Sequence, residues 1–200
     1  EPVMNSIFAR PLVIVAAFAA SLAIGLALTL WLAGGSQTLT TASAIGGPFQ
    51  LVDQNGQAVT DKSLRGKPTL IFFGFTHCPD VCPTALFEIS EILRVLDKDA
   101  GRVNAFFVSV DPDRDTPAIM KDYIASFDPN LKALTGSPEA VAKIVSAYRV
   151  YAKKVPLKDG DYTMDHTALI YLMDRNGRFV APFNIKRTPE AAAADLKRYL

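Results

Sequence analysis

A long apolar run without charge separates the start of the chain from the rest. No Asp, Glu, Lys or Arg occurs between Leu12 and Ala33. The run is about as long as the roughly 20 apolar residues that a helix needs to cross a bilayer. We therefore predict a transmembrane helix over 12–33, in preference to a buried helix or a cleaved signal peptide. Arg10 precedes the span, so residues 1–11 are expected to face the cytoplasm.

The segment that follows the apolar run is small and polar. Residues 34–47 read GGSQTLTTASAIGG, with no charged or aromatic side chain. This composition is typical of a flexible tether. A single domain is expected over 48–200, on the opposite side of the membrane from residues 1–11.

After the tether, apolar runs of strand length alternate with amphipathic segments of helical period. The continuous apolar runs at 69–75 and 104–110 predict strands buried on both faces. Further strands are predicted at 131–135, 167–173 and 178–181, and a hairpin at 49–59. Helices are predicted from the cysteine region to residue 96, at 116–127, at 137–148 and at 188–200; the last three open with Ser-Pro or Thr-Pro. This alternation predicts an α/β fold whose sheet is covered on both faces.

Composition and charge narrow the possible functions. Lys and Arg number 21 against 20 Asp and Glu, so the chain offers no net basic surface for a nucleic-acid partner. Two cysteines are too few for a disulfide scaffold, and both lie in one five-residue window. His77 and His166 are the two histidines. Any imidazole chemistry must therefore use one of them.

The two cysteines stand where a predicted strand gives way to a helix. If Pro79 occupies the first helical position, Cys78 lies near the N-cap and Cys82 one turn later, with both sulfurs on one face. The helix dipole at that end is expected to lower the thiol pKa values. Such a pair forms a soft metal site or a redox pair, and an inert buried pair is the remaining alternative.

Other polar residues lie near the ends of predicted strands. His166 follows Asp165 directly before the strand predicted at 167–173, where the loop can lie beside the cysteines. An acidic group precedes a helix cap and is interpreted as a solvated loop: Asp111, Asp113 and Asp115.

Three segments of the chain resemble the Sco/SenC family of copper proteins, which are involved in cytochrome c oxidase assembly. They are GFTHCPDVCP at 74–83, SVDPDRDTP at 109–117 and DHTALIYLMDRNG at 165–177, in the order and spacing of the family. The resemblance extends from Phe49 to the end of the chain. It implies a thioredoxin-like fold with an added N-terminal β-hairpin, preceded by one transmembrane helix.

The same resemblance implies a metal site. The copper ligands of the family correspond to Cys78, Cys82 and His166 in this chain. Two thiolates and one imidazole form a soft set that suits Cu(I), with Cu(II) as the alternative state. A structural zinc site normally needs four ligands, so zinc stays open only if Asp80 or Asp165 also binds. The resemblance does not make His77 a metal ligand, and we place His77 outside the ligand set.

The implied function is that of a copper metallochaperone. It would deliver copper to the binuclear copper centre of cytochrome c oxidase subunit II, with a thioredoxin-like reductant or an upstream copper donor as a further partner. The alternative is a thiol–disulfide oxidoreductase that reduces the cysteines of that centre through Cys78 and Cys82. A peroxiredoxin-like peroxidase ranks third, because it gives His166 no role. The expected location is a bacterial inner (plasma) membrane, ahead of the mitochondrial inner membrane, with the C-terminal domain in the periplasm.

Overall fold

The computed structural model describes residues 6–33, 45–158 and 160–200. The chain divides into two compact units, Glu1–Ser43 and Ala44–Leu200. Most of the predicted tether, residues 34–44, lies outside the described residues. Its last three residues belong to the second unit, where the Gly46 N–H donates to the Ala147 carbonyl at 2.9 Å.

The first unit contains helix α1, Ser6–Ala33. Within it, the Ser21 hydroxyl donates to the Ala17 carbonyl at 2.8 Å, in the manner of serines on helices. In the described parts of the chain, no helix is both long enough and apolar enough to cross a membrane. Helix α1 includes the helix predicted over 12–33. The transmembrane character of that helix stays a prediction.

The second unit is built on a mixed sheet. Its strands are β1 Gln50–Asp53, β2 Ala58–Thr60, β3 Thr69–Gly74, β4 Asn104–Ser109, β5 Leu131–Thr135, β6 Ala152–Pro156, β7 Tyr162–His166, β8 Ile170–Met173 and β9 Phe179–Pro182. Seven of them form one sheet in the order β2-β1-β5-β4-β3-β8-β9. The three central strands β5, β4 and β3 are parallel, whereas β1 and β8 join them antiparallel. The predicted N-terminal hairpin is confirmed as the antiparallel pair β1–β2.

The central strands confirm the prediction made from the continuous apolar runs. Every residue of β3 is buried, as are all residues of β4 except its first. Phe72 lies opposite Phe107 in the parallel register, and their rings stack with centroids 6.0 Å apart. Burial on both faces explains why these strands lack polar alternation.

The helices of the second unit are α2 Val81–Leu96, α3 Pro117–Ile124, α4 Pro138–Ala147 and α5 Pro189–Lys197. The three predicted Ser/Thr-Pro caps are confirmed: Thr116, Ser137 and Thr188 each accept a hydrogen bond from a backbone N–H three residues later. Helix α2 packs against α5, and α3 packs against β5. The central strands β3 and β4 lie in the core.

Strands β6 and β7 form a second, two-stranded sheet that the hydrophobic pattern does not reveal. β6 is exposed along most of its length and carries Lys153 and Lys154, so it lacks the apolar alternation that marks a half-buried strand. The strand predicted at 167–173 begins only at Ile170. His166 therefore lies at the end of β7, paired with Ala152, and not in a loop.

Candidate metal centre

The cysteine loop, residues 75–82, leads from the end of β3 into α2. Helix α2 begins at Val81 with Asp80 as its N-cap, so the prediction that Pro79 opens the helix and Cys78 caps it is wrong. The Cys78 N–H instead donates to the Phe75 carbonyl at 3.3 Å, which adds a turn before the helix. The Cys78 sulfur still accepts a hydrogen bond from the Cys82 N–H at 3.3 Å. The Cys78 sulfur thus faces the first turn of helix α2, whereas the Cys82 sulfur belongs to that turn.

The two cysteines differ in exposure and in acidity. Both are free thiols; Cys78 is half-buried, whereas Cys82 is 0% exposed. Burial raises the pKa of Cys82 well above its ordinary value, and its hydrogen bond with Cys78 raises it further. The pKa of Cys82 is therefore raised and not lowered as predicted, because desolvation of the thiolate outweighs the backbone hydrogen bond at Phe75 that lowers it. A metal ion that binds Cys82 must displace the proton of the thiol. The apparent affinity of the site for the metal is therefore expected to rise with pH.

The imidazole of His166 is held in one tautomer. Its Nδ1 lies 3.1 Å from the Thr167 carbonyl, which can only accept, so Nδ1 carries the proton. In the neutral imidazole Nε2 then carries the lone pair, and this atom lies 3.7 Å from the Cys82 sulfur. The rings of Phe72 and Phe75 meet the imidazole edge-on, with centroids 6.4 and 5.7 Å away. A carbonyl hydrogen bond on the opposite ring nitrogen is the usual way in which proteins orient a metal-binding histidine.

Cys78, Cys82 and His166 converge on one point. Their ligand atoms all lie within 4.8 Å of one another. Within the described ranges, this trio is the one group of three or more His, Cys, Asp or Glu that could hold a metal ion, and it includes neither Asp80 nor Asp165. Two sulfurs and one nitrogen without a carboxylate form a donor set that suits Cu(I) better than zinc.

His77 lies apart from this cluster. Its side chain is exposed, and its Nδ1 is 3.1 Å from the neighbouring Thr76 hydroxyl. Although His77 adjoins Cys78 in sequence, the turn directs its imidazole elsewhere. The structure thus brings together His166 and both cysteines and leaves out the nearer histidine.

Gly74 makes room for the Cys82 sulfur. A β-carbon at this position would lie 2.7 Å from the Cys82 sulfur and 2.7 Å from Cε2 of Phe107. Both distances are shorter than van der Waals contact, so any larger residue would displace the sulfur or the core ring. The sequence signal for this role is a glycine at the end of a fully buried strand, where a close approach is a common reason for glycine.

The acidic residues interpreted as a solvated loop are in large part buried. Asp111 and Asp115 are both 0% exposed, so that interpretation is wrong for them, whereas Asp113 is exposed. Asp111 is paired with Arg114, whose Nε donates to its carboxylate at 2.6 Å. Asp115 accepts hydrogen bonds from the hydroxyls of Thr76 and Ser109, each at 2.6 Å. Burial nevertheless raises the pKa of Asp115.

The fold and this site define the class of protein: a thioredoxin-like α/β domain in which two cysteines and a histidine lie close enough together to hold a metal ion. The chain belongs to the SCO1/SenC family, whose family model matches residues 37–200. The resemblance seen in the three sequence motifs is thereby confirmed.

Curated relatives include proteins of a plant and of a bacterium. The chain is 44% identical over 139 residues to the mitochondrial SCO1 homolog 1 of Arabidopsis thaliana, a match that covers 69% of this chain and 42% of that protein. It is 41% identical over 141 residues to a SCO2-like protein of Rickettsia prowazekii, covering 70% of this chain and 69% of the relative. The chain thus spans less than half the length of the Arabidopsis relative.

Solved structures with the same fold include proteins with copper bound. Bradyrhizobium japonicum ScoI with copper bound is 78% identical, with a TM-score of 0.77, over 78% of this chain and all of that one (100%). Yeast Sco1 with copper bound is 36% identical, with a TM-score of 0.71, over 78% of this chain and 88% of that one. BsSco, a member of the Sco family of cytochrome c oxidase assembly proteins with a disulfide switch, is 25% identical, with a TM-score of 0.60, over 79% of this chain and 94% of that one.

Proposed function

We propose that this protein is a copper metallochaperone for the binuclear copper centre of cytochrome c oxidase subunit II. Its cargo is one copper ion bound by Cys78, Cys82 and His166, as Cu(I) or, in the alternative state, Cu(II). The observation that carries the proposal is the convergence of these three ligand atoms within 4.8 Å. The copper-bound relatives and the assembly role of BsSco support it.

The unequal burial of the ligands suits transfer of the metal. The buried Cys82 and the oriented His166 hold the ion from inside the domain, whereas Cys78 is half-buried and open to an incoming ligand. Three-coordinate Cu(I) can accept a thiolate from a recipient before it releases one of its own. Such stepwise exchange lets copper leave without passing through water.

The surface around the centre supports a protein as the recipient. Val81 lies within the cysteine loop and Leu169 lies three residues after His166; they are 51% and 48% exposed. Both line a cavity of about 410 Å³ together with Pro182, Phe183 and Ile185. Exposed apolar residues around a cavity are typical of a surface that a protein partner covers.

A thiol–disulfide oxidoreductase is the second candidate, favoured by the two free thiols. Cys78, the more exposed, would attack a disulfide of the recipient, release one recipient sulfur as a thiol and form a mixed disulfide with the other. Cys82 would then attack the Cys78 sulfur and release the second recipient sulfur as a thiol. The recipient gains two electrons, and the Cys78–Cys82 disulfide that remains needs a thioredoxin-like reductant to return it to dithiol. The disulfide switch of BsSco supports this reaction. The oxidoreductase reaction leaves His166 without a role, and a peroxidase reaction would do the same.

Oxidase assembly in cells that carry His166→Ala separates the two candidates. A copper carrier needs all three ligands, whereas a reductase needs only the dithiol. With copper held low and expression checked, His166→Ala is expected to abolish oxidase activity as Cys78→Ala does. Excess copper should restore part of the activity, because mass action offsets weakened binding.

His77→Ala is the matched control, since it removes the other imidazole of the chain and leaves the cluster intact. It should assemble oxidase normally. Normal oxidase activity in His166→Ala, beside complete loss in Cys78→Ala, would favour the reductase over the metallochaperone.

We further propose that residues 12–33 anchor the protein in a bacterial inner membrane, with residues 1–11 cytoplasmic and the domain in the periplasm. The support is the uncharged sequence of that segment and the single Arg10 before it. A reporter fused after Leu200 should be active only outside the cytoplasm. Activity inside the cytoplasm would overturn both the orientation and the compartment.

A further inference from the structure

The ligands of the proposed copper site come from two separate pieces of chain. Cys78 and Cys82 lie on the cysteine loop, residues 75–82. His166 ends the histidine hairpin, which consists of β6 and β7 and shares no strand pairing with the main sheet in the described residues. An isolated two-stranded hairpin is marginally stable at best in water. The distance from His166 to the sulfurs thus depends on what holds the hairpin in place.

One segment contacts both pieces: the aspartate loop, Asp111–Asp115. On the cysteine side, the buried Asp115 carboxylate accepts hydrogen bonds from the Thr76 hydroxyl at 2.6 Å and the Thr76 N–H at 3.2 Å. Ser109 at the end of β4 donates a third bond at 2.6 Å. Thr76 lies two residues before Cys78, so Asp115 fixes the backbone that delivers that sulfur.

On the histidine side, the same loop holds Tyr162 at the start of β7. The Tyr162 hydroxyl donates to the buried Asp111 carboxylate at 2.8 Å. The Arg114 guanidinium donates to the Tyr162 carbonyl at 3.0 Å and lies over its ring, 3.8 Å from the centroid. Lys154 of β6 pairs with Asp113, and its ammonium is 4.6 Å from the same ring. The hairpin is thus attached to the loop through both of its strands.

We propose that the aspartate loop is the positioning element that joins the two halves of the metal centre. Asp115 sets the cysteine loop through Thr76, and Asp111 with Arg114 sets the histidine hairpin through Tyr162. None of these side chains belongs to the ligand cluster. They are positioning residues that keep His166 within reach of the two sulfurs. The inference rests on the proposed copper function only for the identity of the metal.

Two mild variants test the two sides of the loop separately. Tyr162→Phe removes only the hydroxyl that Asp111 accepts and keeps the ring under Arg114; Thr76→Val removes only the hydroxyl bonded to Asp115. Loss of a supporting residue around a metal typically costs about 10–100-fold in affinity, and we expect about tenfold weaker Cu(I) binding for each variant. In X-ray absorption, copper in Tyr162→Phe should show a smaller nitrogen contribution than in the wild type and keep both sulfurs.

Amide hydrogen exchange of the metal-free full-length protein gives a second readout that does not depend on copper. Exchange should quicken in β6 and β7 for Tyr162→Phe and in the cysteine loop for Thr76→Val, with the central strands unchanged. Tyr151→Phe is the matched control: Tyr151 precedes β6 and its side chain is 53% exposed. It should leave exchange and Cu(I) affinity as in the wild type.

The outcomes distinguish the two proposals. If the wild type binds no Cu(I), the proposed function fails, and the exchange data alone decide the role of the loop. If Tyr162→Phe keeps the wild-type affinity, ligand set and exchange, the positioning role is overturned. A uniform rise in exchange throughout the domain, for both variants alike, would also overturn it by showing a general loss of stability.

Discussion

Replacing Cys78, Cys82 or His166 with alanine is expected to weaken Cu(I) binding by more than the roughly 10–100-fold that loss of a supporting residue costs. Each change removes one of three ligands and leaves Cu(I) two-coordinate and open to competing thiols. The measurement is a competition titration of the reduced protein against a Cu(I) chelator of known affinity.

The control for this experiment is His77→Ala, which removes an imidazole one residue from Cys78. Because the His77 side chain is exposed and outside the cluster, the Cu(I) affinity of His77→Ala should equal that of the wild type. Loss of binding in His77→Ala together with normal binding in His166→Ala would contradict the ligand assignment.

Gly74→Ala is expected to damage both the core and the metal centre. The added β-carbon would lie 2.7 Å from both the Cys82 sulfur and the Phe107 ring, so one of them must move. Forcing extra atoms into a packed core typically costs about 1–3 kcal/mol, which should lower the urea midpoint of unfolding. The same displacement should weaken Cu(I) binding, because Cys82 supplies a ligand.

Gly101→Ala is the matched control for this change, since a β-carbon there would meet nothing within 4 Å. It should unfold and bind Cu(I) as the wild type does. A Gly74→Ala protein with an unchanged urea midpoint and unchanged affinity would show that Gly74 is not needed for the close approach.

The features that the sequence predicts correctly are those that local patterns determine. The strands β3 and β4 are buried on both faces, which produces apolar runs that no surface strand would have. The caps at Thr116, Ser137 and Thr188 depend on a hydroxyl and a proline in adjacent positions. The ligand trio required the family resemblance, because nothing local to His166 indicates that it meets the cysteines.

The features that the sequence does not predict depend on contacts distant along the chain. The histidine hairpin has an exposed first strand. It is attached to Asp111 and Arg114 by contacts between residues distant in sequence, since Asp111 and Tyr162 are 51 positions apart. Asp115 looks like a loop residue until Thr76, 39 positions away, is seen to donate to it. Likewise, burial of Cys82 reverses the direction of the pKa shift that the helix N-terminus alone suggested.

X-ray absorption of the reduced protein loaded with one equivalent of Cu(I) tests the central claim most directly. The cluster predicts two sulfur neighbours and one imidazole nitrogen around copper, with the nitrogen absent in His166→Ala. A spectrum with no imidazole nitrogen, or one that does not change in His166→Ala, would contradict the assignment of Cys78, Cys82 and His166 as the copper site.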